Sequence, residues 1–364
     1  MKKIIIHFPF AIDRNRAAAS QLRPIKIIET FKSMGYDVFL IEGYGKERSL
    51  QIKKLKDLIK TGDKFEFVYS ECNTTPTLLT EKHHFPTYPF LDFSFFKFCK
   101  KQGIPIGLFY RDIYWCFPEN NKGIIRKVMK LFYRYDLHEY NKYVTALFVP
   151  SSEMVCHVPV EFKMPIYELY PGCETGVYNK TRNVSENSTI NVLYVGGIGH
   201  HYDVSMFIEA VRDIPSVHLT LCCRKDDWEA VKDEYQQILG ENVEIVHISG
   251  KKLEQLYAAA DLFCLFVRPD KYREFAVPFK LFESIGHECP VLASEGTWVA
   301  KFVRENKIGF VSEYSIESLR DLLTQIVNHR GMLEAVQNRI SQVRDANTWK
   351  ARCIKIEKDI LKKS

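Results

Sequence analysis

The stretch Tyr272-Arg273-Glu274-Phe275-Ala276-Val277-Pro278-Phe279-Lys280-Leu281-Phe282-Glu283 holds the residues with the clearest chemical use. Pro278 lacks an N–H and has a preset φ, so it suits the first turn of a helix. The free N–H groups and the dipole at such an end favour an anion, and Lys280 adds a cation there. Glu283 follows three residues on, on a neighbouring face of the same turn. Its carboxylate can accept two hydrogen bonds from a vicinal diol such as ribose. One helix end can thus hold both the diphosphate and the ribose of a sugar nucleotide. The same spacing also fits an exposed Lys–Glu pair on an amphipathic helix.

A second candidate is Val195-Gly196-Gly197-Ile198-Gly199-His200, a glycine-rich turn between a strand pattern and a helix pattern. A dinucleotide fingerprint would need GxGxxG there. Counted from Gly197, the third glycine falls on Tyr202, so that motif fails, and no Walker A motif is present. Gly196 and Gly197 then read as a tight turn, or as a turn whose small residues let the backbone approach a diphosphate. In the first half, Phe109-Tyr110-Arg111-Asp112-Ile113-Tyr114-Trp115 ends a strand with a charged pair among aromatic rings. Planar rings cover apolar sugar faces and carboxylates bind hydroxyls, so Asp112 is expected to contact an acceptor. Arg111 either joins it there or pairs with it structurally. Arg23 opens the first long helix after the loop Ala11–Ala19 and is expected to meet a donor or acceptor phosphate.

These residues need elements to hold them. The chain has 364 residues, enough for two domains. Lys3–Phe8, Asp37–Glu42, Phe65–Ser70, Pro105–Asp112 and Ala146–Ser151 are short apolar runs that read as strands. Helix patterns lie between them: Ser20–Met34, with Pro24 in its first turn, and 122–143. The polar, turn-rich Thr175–Thr189 reads as a linker. The alternation then restarts with Asn191–Gly196, His218–Cys223, Glu244–Ile248, Asp261–Val267 and Pro290–Ser294. Two doubly wound parallel sheets follow from this, with ligand edges expected to face each other across a cleft. The expected domains are 1–178, 179–345 and a final helical segment, 346–364, packing back on the first. Residues 1–180 carry 27 Lys and Arg against 19 Asp and Glu, so the first half is the basic one. Such a half suits phosphate or an anionic lipid surface; no nucleic-acid module is present. The ten cysteines form no CxxC pair, and no long uncharged apolar run appears. Reduced thiols, a cytoplasmic location and at most a weak peripheral contact with the inner face of a membrane are expected. The aromatic Phe90–Phe98, beside Lys97, Lys100 and Lys101, reads as a core helix with a basic end. Its alternative is an interfacial surface, to which Arg126, Lys127, Lys130 and Arg134 would add.

Several blocks of the second half together resemble the donor-binding domain of retaining GT-B glycosyltransferases of family 4. They are YVGGIGHHYD, CCRKDDW, VHISGKKLEQLYAAADLF, YREFAVPFKLFESIGHECPVLAS and KFVRENKIGF. The pattern Leu-x-x-Leu-Tyr-x-x-Ala-Asp is held by Leu253, Leu256, Tyr257, Ala260 and Asp261. The first half matches loosely. The resemblance implies an α/β GT-B fold and donor binding around Tyr272, Pro278, Lys280 and Glu283. It implies that Arg224, or its neighbour Lys225, neutralises the donor diphosphate, although both also fit a solvated charge cluster. His247 and Ser249, ending the next strand, would lie where this fold meets the nucleobase. The family's paired glutamates have seven residues between them, which sets the first at Phe275, not an acid; Glu274 stands one position earlier.

The implied activity is a retaining, hexosyl-type glycosyltransferase of surface-polysaccharide biosynthesis. Its partners would be a UDP- or GDP-sugar and a saccharide or lipid-linked acceptor. Asp112, Glu274 and Lys280 are the expected catalytic residues. No acidic metal cluster is visible, so no metal and no cofactor are expected. Two rivals remain at this level: a GT-B-like sugar-nucleotide epimerase, and a non-catalytic nucleotide- or carbohydrate-binding protein.

Overall fold

The computed structural model describes residues 1–15, 18–117, 124–175, 189–199 and 202–362. The chain divides into two compact units: Met1–Pro171 with Trp349–Ser364, and Gly172–Thr348. The expected boundary at 178/179, most of the expected linker, and the first two residues of the expected helix 122–143 lie outside the described residues.

In unit 1 the strands are β1 (Lys3–His7), β2 (Asp37–Ile41), β3 (Val68–Glu71), β4 (Ile106–Phe109), β5 (Ala146–Val149) and β6 (Ile166–Glu168). Helices α1 (Ala19–Ser33), α2 (Gly45–Lys60), α3 (Leu91–Lys101) and α4 (Ile124–Tyr143) alternate with them. All neighbours pair in parallel, in the order β2-β1-β3-β4-β5-β6. Strands such as Ile4-Ile5-Ile6 are fully buried, as expected for a sheet covered on both faces. The aromatic run 90–98 is largely α3, and it buries Phe93, Phe95 and Phe96 in the core. Its Asp92 is also buried, 3% exposed; Arg48 grips it bidentately (Nε–Oδ1 2.9 Å, Nη2–Oδ2 3.0 Å) and His7 Nε2 lies 2.9 Å from Oδ1. Burial pushes the Asp92 carboxyl up, but His7 and Arg48 outweigh it and hold the group below its ordinary range.

Unit 2 runs β7 (Ile190–Val195), α5 (Ser205–Arg212), β8 (Val217–Cys222), α6 (Lys225–Glu229), α7 (Lys232–Tyr235), β9 (Val243–Val246), α8 (Lys251–Ala259) and β10 (Leu262–Leu265). It continues with α9 (Phe279–Gly286), β11 (Val291–Ser294), α10 (Trp298–Asn306), β12 (Gly309–Ser312), α11 (Ile316–Asn328) and α12 (Gly331–Ala346). Its parallel order is β12-β11-β10-β7-β8-β9. The short strands β6 and β12 were not among the expected ones; each lies at a sheet edge and neither is a continuous apolar run.

The last helix, α13 (Trp349–Leu361), returns to unit 1. It lies on α1 and β4 because β4 carries Gly107. A Cβ at that position would come within 2.4 Å of Ile360 Cδ1. Among the described residues no helix is long and apolar enough to cross a membrane.

Candidate active site

In unit 2, β7 and β10 are neighbours, and the strands that follow each lie on opposite sides of the pair. This is the point where the strand order reverses, and ligands of such sheets bind outside the strand ends there. After β7 comes the glycine turn. Gly196 N–H donates to Cys222 O at 3.1 Å, and Gly197 O accepts from the Tyr194 hydroxyl at 2.5 Å. A Cβ on Gly196 would meet that hydroxyl at 2.9 Å, and Gly199 has φ +117°. Backbone conformation favours glycine at Gly199, and a side chain at Gly196 would have to displace the Tyr194 hydroxyl. His200 and His201 lie outside the described residues.

After β10 the chain makes the turn 271–275 and enters α9. Pro278 is the N-cap, with extended backbone (φ −77°, ψ 140°), one residue ahead of the first turn where it was expected. Leu281, Phe282 and Ile285 bury the inner face of α9. Lys280 Nζ and Glu283 Oε2 are 2.5 Å apart, each side chain about one-third exposed (32% and 33%). Tyr257, from α8, donates its hydroxyl to the same oxygen at 3.1 Å. Its ring is stacked between His287, at 4.1 Å, and Phe263, at 5.3 Å. Burial, then the Glu283 charge, raises the Tyr257 hydroxyl well above its ordinary value, so it remains a donor. Burial, then Lys280, lowers His287 to about 4, so that ring is neutral near pH 7. Tyr257 is the residue that sequence reasoning missed as a site member. It was visible only as one position of a helix pattern.

The turn before α9 buries Phe275, 2% exposed, with its ring 5.1 Å from that of Tyr272. Glu274 is exposed. The position where the family's first glutamate would stand is thus a core position in this chain. Arg224 and Lys225 follow β8 and are both exposed, Arg224 as the N-cap of α6 and Lys225 as its first residue. His247 and Ser249 follow β9 and are exposed too; His247 Nδ1 lies 3.0 Å from Cys223 O.

Unit 1 reverses its strand order between β1 and β3. Glu71, the last residue of β3, is fully buried there. Arg23 donates from Nε to Glu71 Oε1 at 3.0 Å, and Arg111 donates from Nη2 to Oε2 at 2.8 Å. Arg23 is 3% exposed. Its guanidinium carbon lies 3.7 Å from the centroid of the Phe109 ring. Pro24 stands in the second turn of α1 and cannot donate to the carbonyl of Ser20. Arg111 Nη1 takes that carbonyl instead, at 3.0 Å. Arg111 forms its ion pair with Glu71 across the end of β3. Asp112 Oδ1 accepts from the Tyr114 N–H at 3.0 Å. Glu71 carried no signal in the sequence beyond following the expected strand Phe65–Ser70. Among the described residues no group of three His, Cys, Asp or Glu is placed to hold a metal.

Comparison with known proteins bears on both units. Residues 189–329 match the family described as glycosyl transferases group 1. No curated protein matches the sequence. Similar solved structures span the whole chain. A glycosyltransferase from Rickettsia africae ESF-5 is 12% identical, with 100% of both chains covered and a TM-score of 0.68. HepE of Anabaena, solved with UDP and glucose, is 15% identical over 98% of each chain, with a TM-score of 0.62. WaaG, a glycosyltransferase involved in lipopolysaccharide biosynthesis, is 16% identical over 99% of this chain and 100% of its own, with a TM-score of 0.59. These likenesses are of fold. Two six-stranded parallel sheets with their helices make this a GT-B fold, and residues 189–329 of its second unit match the model of the glycosyl transferases group 1.

Proposed function

We propose that the chain transfers a sugar from a UDP- or GDP-sugar to a saccharide or lipid-linked acceptor, with retention at the anomeric carbon, in surface-polysaccharide synthesis. The observation that carries this reading is the Lys280–Glu283 pair of α9 with Tyr257 of α8, beyond the strand-order reversal of unit 2. The bound UDP and glucose of HepE support the donor class. In the structure Lys280 pairs with Glu283. A pair exposed to this degree contributes under about 1 kcal/mol, whereas a charge-assisted bond to phosphate contributes about 1.5–3 kcal/mol. Exchange of Glu283 for a diphosphate is therefore downhill for Lys280. Tyr257 keeps the freed carboxylate oriented for ribose. Arg224, with Lys225 beside it, adds charge for the diphosphate, and His247 and Ser249 serve the base.

Transfer then needs little chemistry from side chains. The acceptor hydroxyl attacks the anomeric carbon on the face the leaving group departs from. The carbon–oxygen bond to the diphosphate breaks, and the leaving phosphate oxygen takes the hydroxyl proton. Lys280 stabilises the charge that develops, which is electrostatic and positional catalysis. Asp112 orients the acceptor hydroxyl, and Glu274 contacts the donor sugar.

Calorimetry with UDP, GDP and their nucleosides tests the donor reading. Lys280→Ala is expected to weaken diphosphate binding by one to two decades and nucleoside binding little, and Glu283→Ala to weaken both. Normal nucleotide binding by both folded variants overturns it. Asp112→Asn is expected to lower transfer far more than donor binding. One observation favours a second reading: Phe275 is buried where the family's first glutamate would stand. Tight donor binding with no transfer or hydrolysis across many acceptors would identify a non-catalytic binding protein.

A further inference from the structure

The Arg23–Glu71–Arg111 group of unit 1 does not balance its own charge. Two guanidinium groups share one carboxylate, and all three side chains are withdrawn from water: Glu71 0%, Arg23 3% and Arg111 11% exposed. The Tyr69 hydroxyl also donates to Glu71, at 2.6 Å, so both carboxylate oxygens are engaged. The surplus is one positive charge. Phe109 and Phe10 present ring faces to the two arginines, at 3.7 and 5.4 Å, which offsets part of the desolvation but accepts no N–H in the plane of the guanidinium. Two such donors, Arg23 Nη2 and Arg111 Nε, are buried without an acceptor among the described residues. Buried charge left uncompensated costs several kcal/mol, a cost that an anion placed against these two donors would remove.

Its placement agrees. The group lies where the strand order of unit 1 reverses, outside the ends of β3 and β4. The amino end of α1 is beside it, with no capping side chain and no acidic residue in its first turn. Pro24 strips Ser20 O of its helical donor, and Arg111 occupies it. Of the three side chains Arg111 is the least buried. Arg23 fixes Glu71, Glu71 fixes Arg111, and the surplus charge is offered at Arg111.

We propose that Arg111 binds an anionic group, a phosphate or a carboxylate, carried by the acceptor. Arg23 and Glu71 act as positioning residues. This rests on the glycosyltransferase reading for the word acceptor, since the donor diphosphate is assigned to α9; the anion site itself does not depend on it.

The test uses the whole chain with Lys280→Ala in the background, which empties the α9 phosphate site. Pyrophosphate, methyl phosphate and methyl glucuronide are titrated by calorimetry. Pyrophosphate is expected to bind the Lys280→Ala protein. Adding Arg111→Gln should weaken it by about tenfold or more, the loss of a charge-assisted contact. Should Arg111→Gln not fold, Arg111→Lys keeps the charge but loses the fixed Nε donor, and a several-fold weakening is expected. Methyl phosphate binding without glucuronide binding assigns a phosphorylated acceptor, and the reverse an acidic sugar. No pyrophosphate binding in the Lys280→Ala protein, or equal affinity with and without Arg111, overturns the proposal. UDP titrations of the wild type run beside these. UDP binding that depends on Lys280 while Arg111 has no effect sinks this inference alone. An Arg111-dependent anion site with no nucleotide binding sinks the donor reading and leaves the anion site standing.

Discussion

The two units solve the same topological problem with opposite surfaces. At the reversal point of unit 1 the charged groups are inside and already paired: Arg23 and Arg111 on Glu71, and next to them Arg48 and His7 on Asp92. At the strand ends of unit 2 the charged candidates Arg224, Lys225 and Glu274 lie in water, and Lys280 and Glu283 are about one-third exposed. A buried pair has been desolvated during folding, so its geometry is set before any ligand arrives, and breaking it leaves a naked charge. An exposed group contributes little to stability and is free to change partners. Unit 1 is therefore a prepared surface and unit 2 an adaptable one. Mutations at chemically similar residues should damage folding in the first and affinity in the second.

The largest expected effect is on the prepared side. Asp92→Asn leaves Arg48 buried without its bidentate partner and should cost about 3–5 kcal/mol of unit 1 stability, read by urea unfolding with probes in each unit. A loss below about 1 kcal/mol would remove the contrast between the units. Next is Asp136 on α4. Its Oδ2 accepts from the Thr77 N–H at 2.7 Å, while burial pushes its carboxyl up from 3.8 to about 7. The folded state then holds a proton that the unfolded state releases. The contribution of this group to stability should be greatest below the ordinary carboxylate value and fall as pH rises to about 7. The total is on the order of 2–4 kcal/mol. Asp136→Asn should flatten that slope and gain stability at pH 8 relative to pH 5; parallel pH profiles for both proteins would contradict it.

On the adaptable side the order of effects inverts. Lys280→Ala should leave stability within about 1 kcal/mol and lower nucleoside diphosphate affinity by about one to two decades. Comparison of thermal melts with calorimetry separates the two. The smallest effect is Arg224→Ala. It should be silent in stability, within about 0.5 kcal/mol, and should weaken diphosphate binding several-fold, more at low salt than at high salt. A variant that unfolds would show that this residue belongs with the prepared kind.

Much of this was legible in the residue order. Most strand runs in both halves were placed within a residue or two because continuous apolar segments bounded by turn formers have few other readings. The pairing of Lys280 with Glu283 also followed from spacing along one helix. What escaped was long-range. Arg23 and Glu71 meet across 48 positions, and Arg111 and Glu71 across 40, with nothing local to announce it. Tyr257 reaches Glu283 from another helix. Pro24 was expected in the first turn, where it frees nothing; because α1 starts at Ala19 it lies one turn in and frees the Ser20 carbonyl, which something must satisfy. The strands β6 and β12 escaped because short, partly polar edge strands look like loops. The identity of the residue at the expected glutamate position was plain, but its burial was a matter of packing.

The return of α13 to the first sheet also has a consequence for synthesis. Unit 2 is one unbroken segment, whereas unit 1 is written in two pieces that flank it. On the ribosome, the residues before Pro171 emerge with the Gly107 side of their sheet still uncovered. They must wait while the whole of unit 2 is translated, which takes about 10–35 s at bacterial-scale elongation of roughly 5–20 residues per second. Through that interval the groove that Ile360 fills is exposed apolar surface. The first unit to begin is the last to be finished, and it is in this waiting form that the nascent chain would be most open to a chaperone or to its own aggregation.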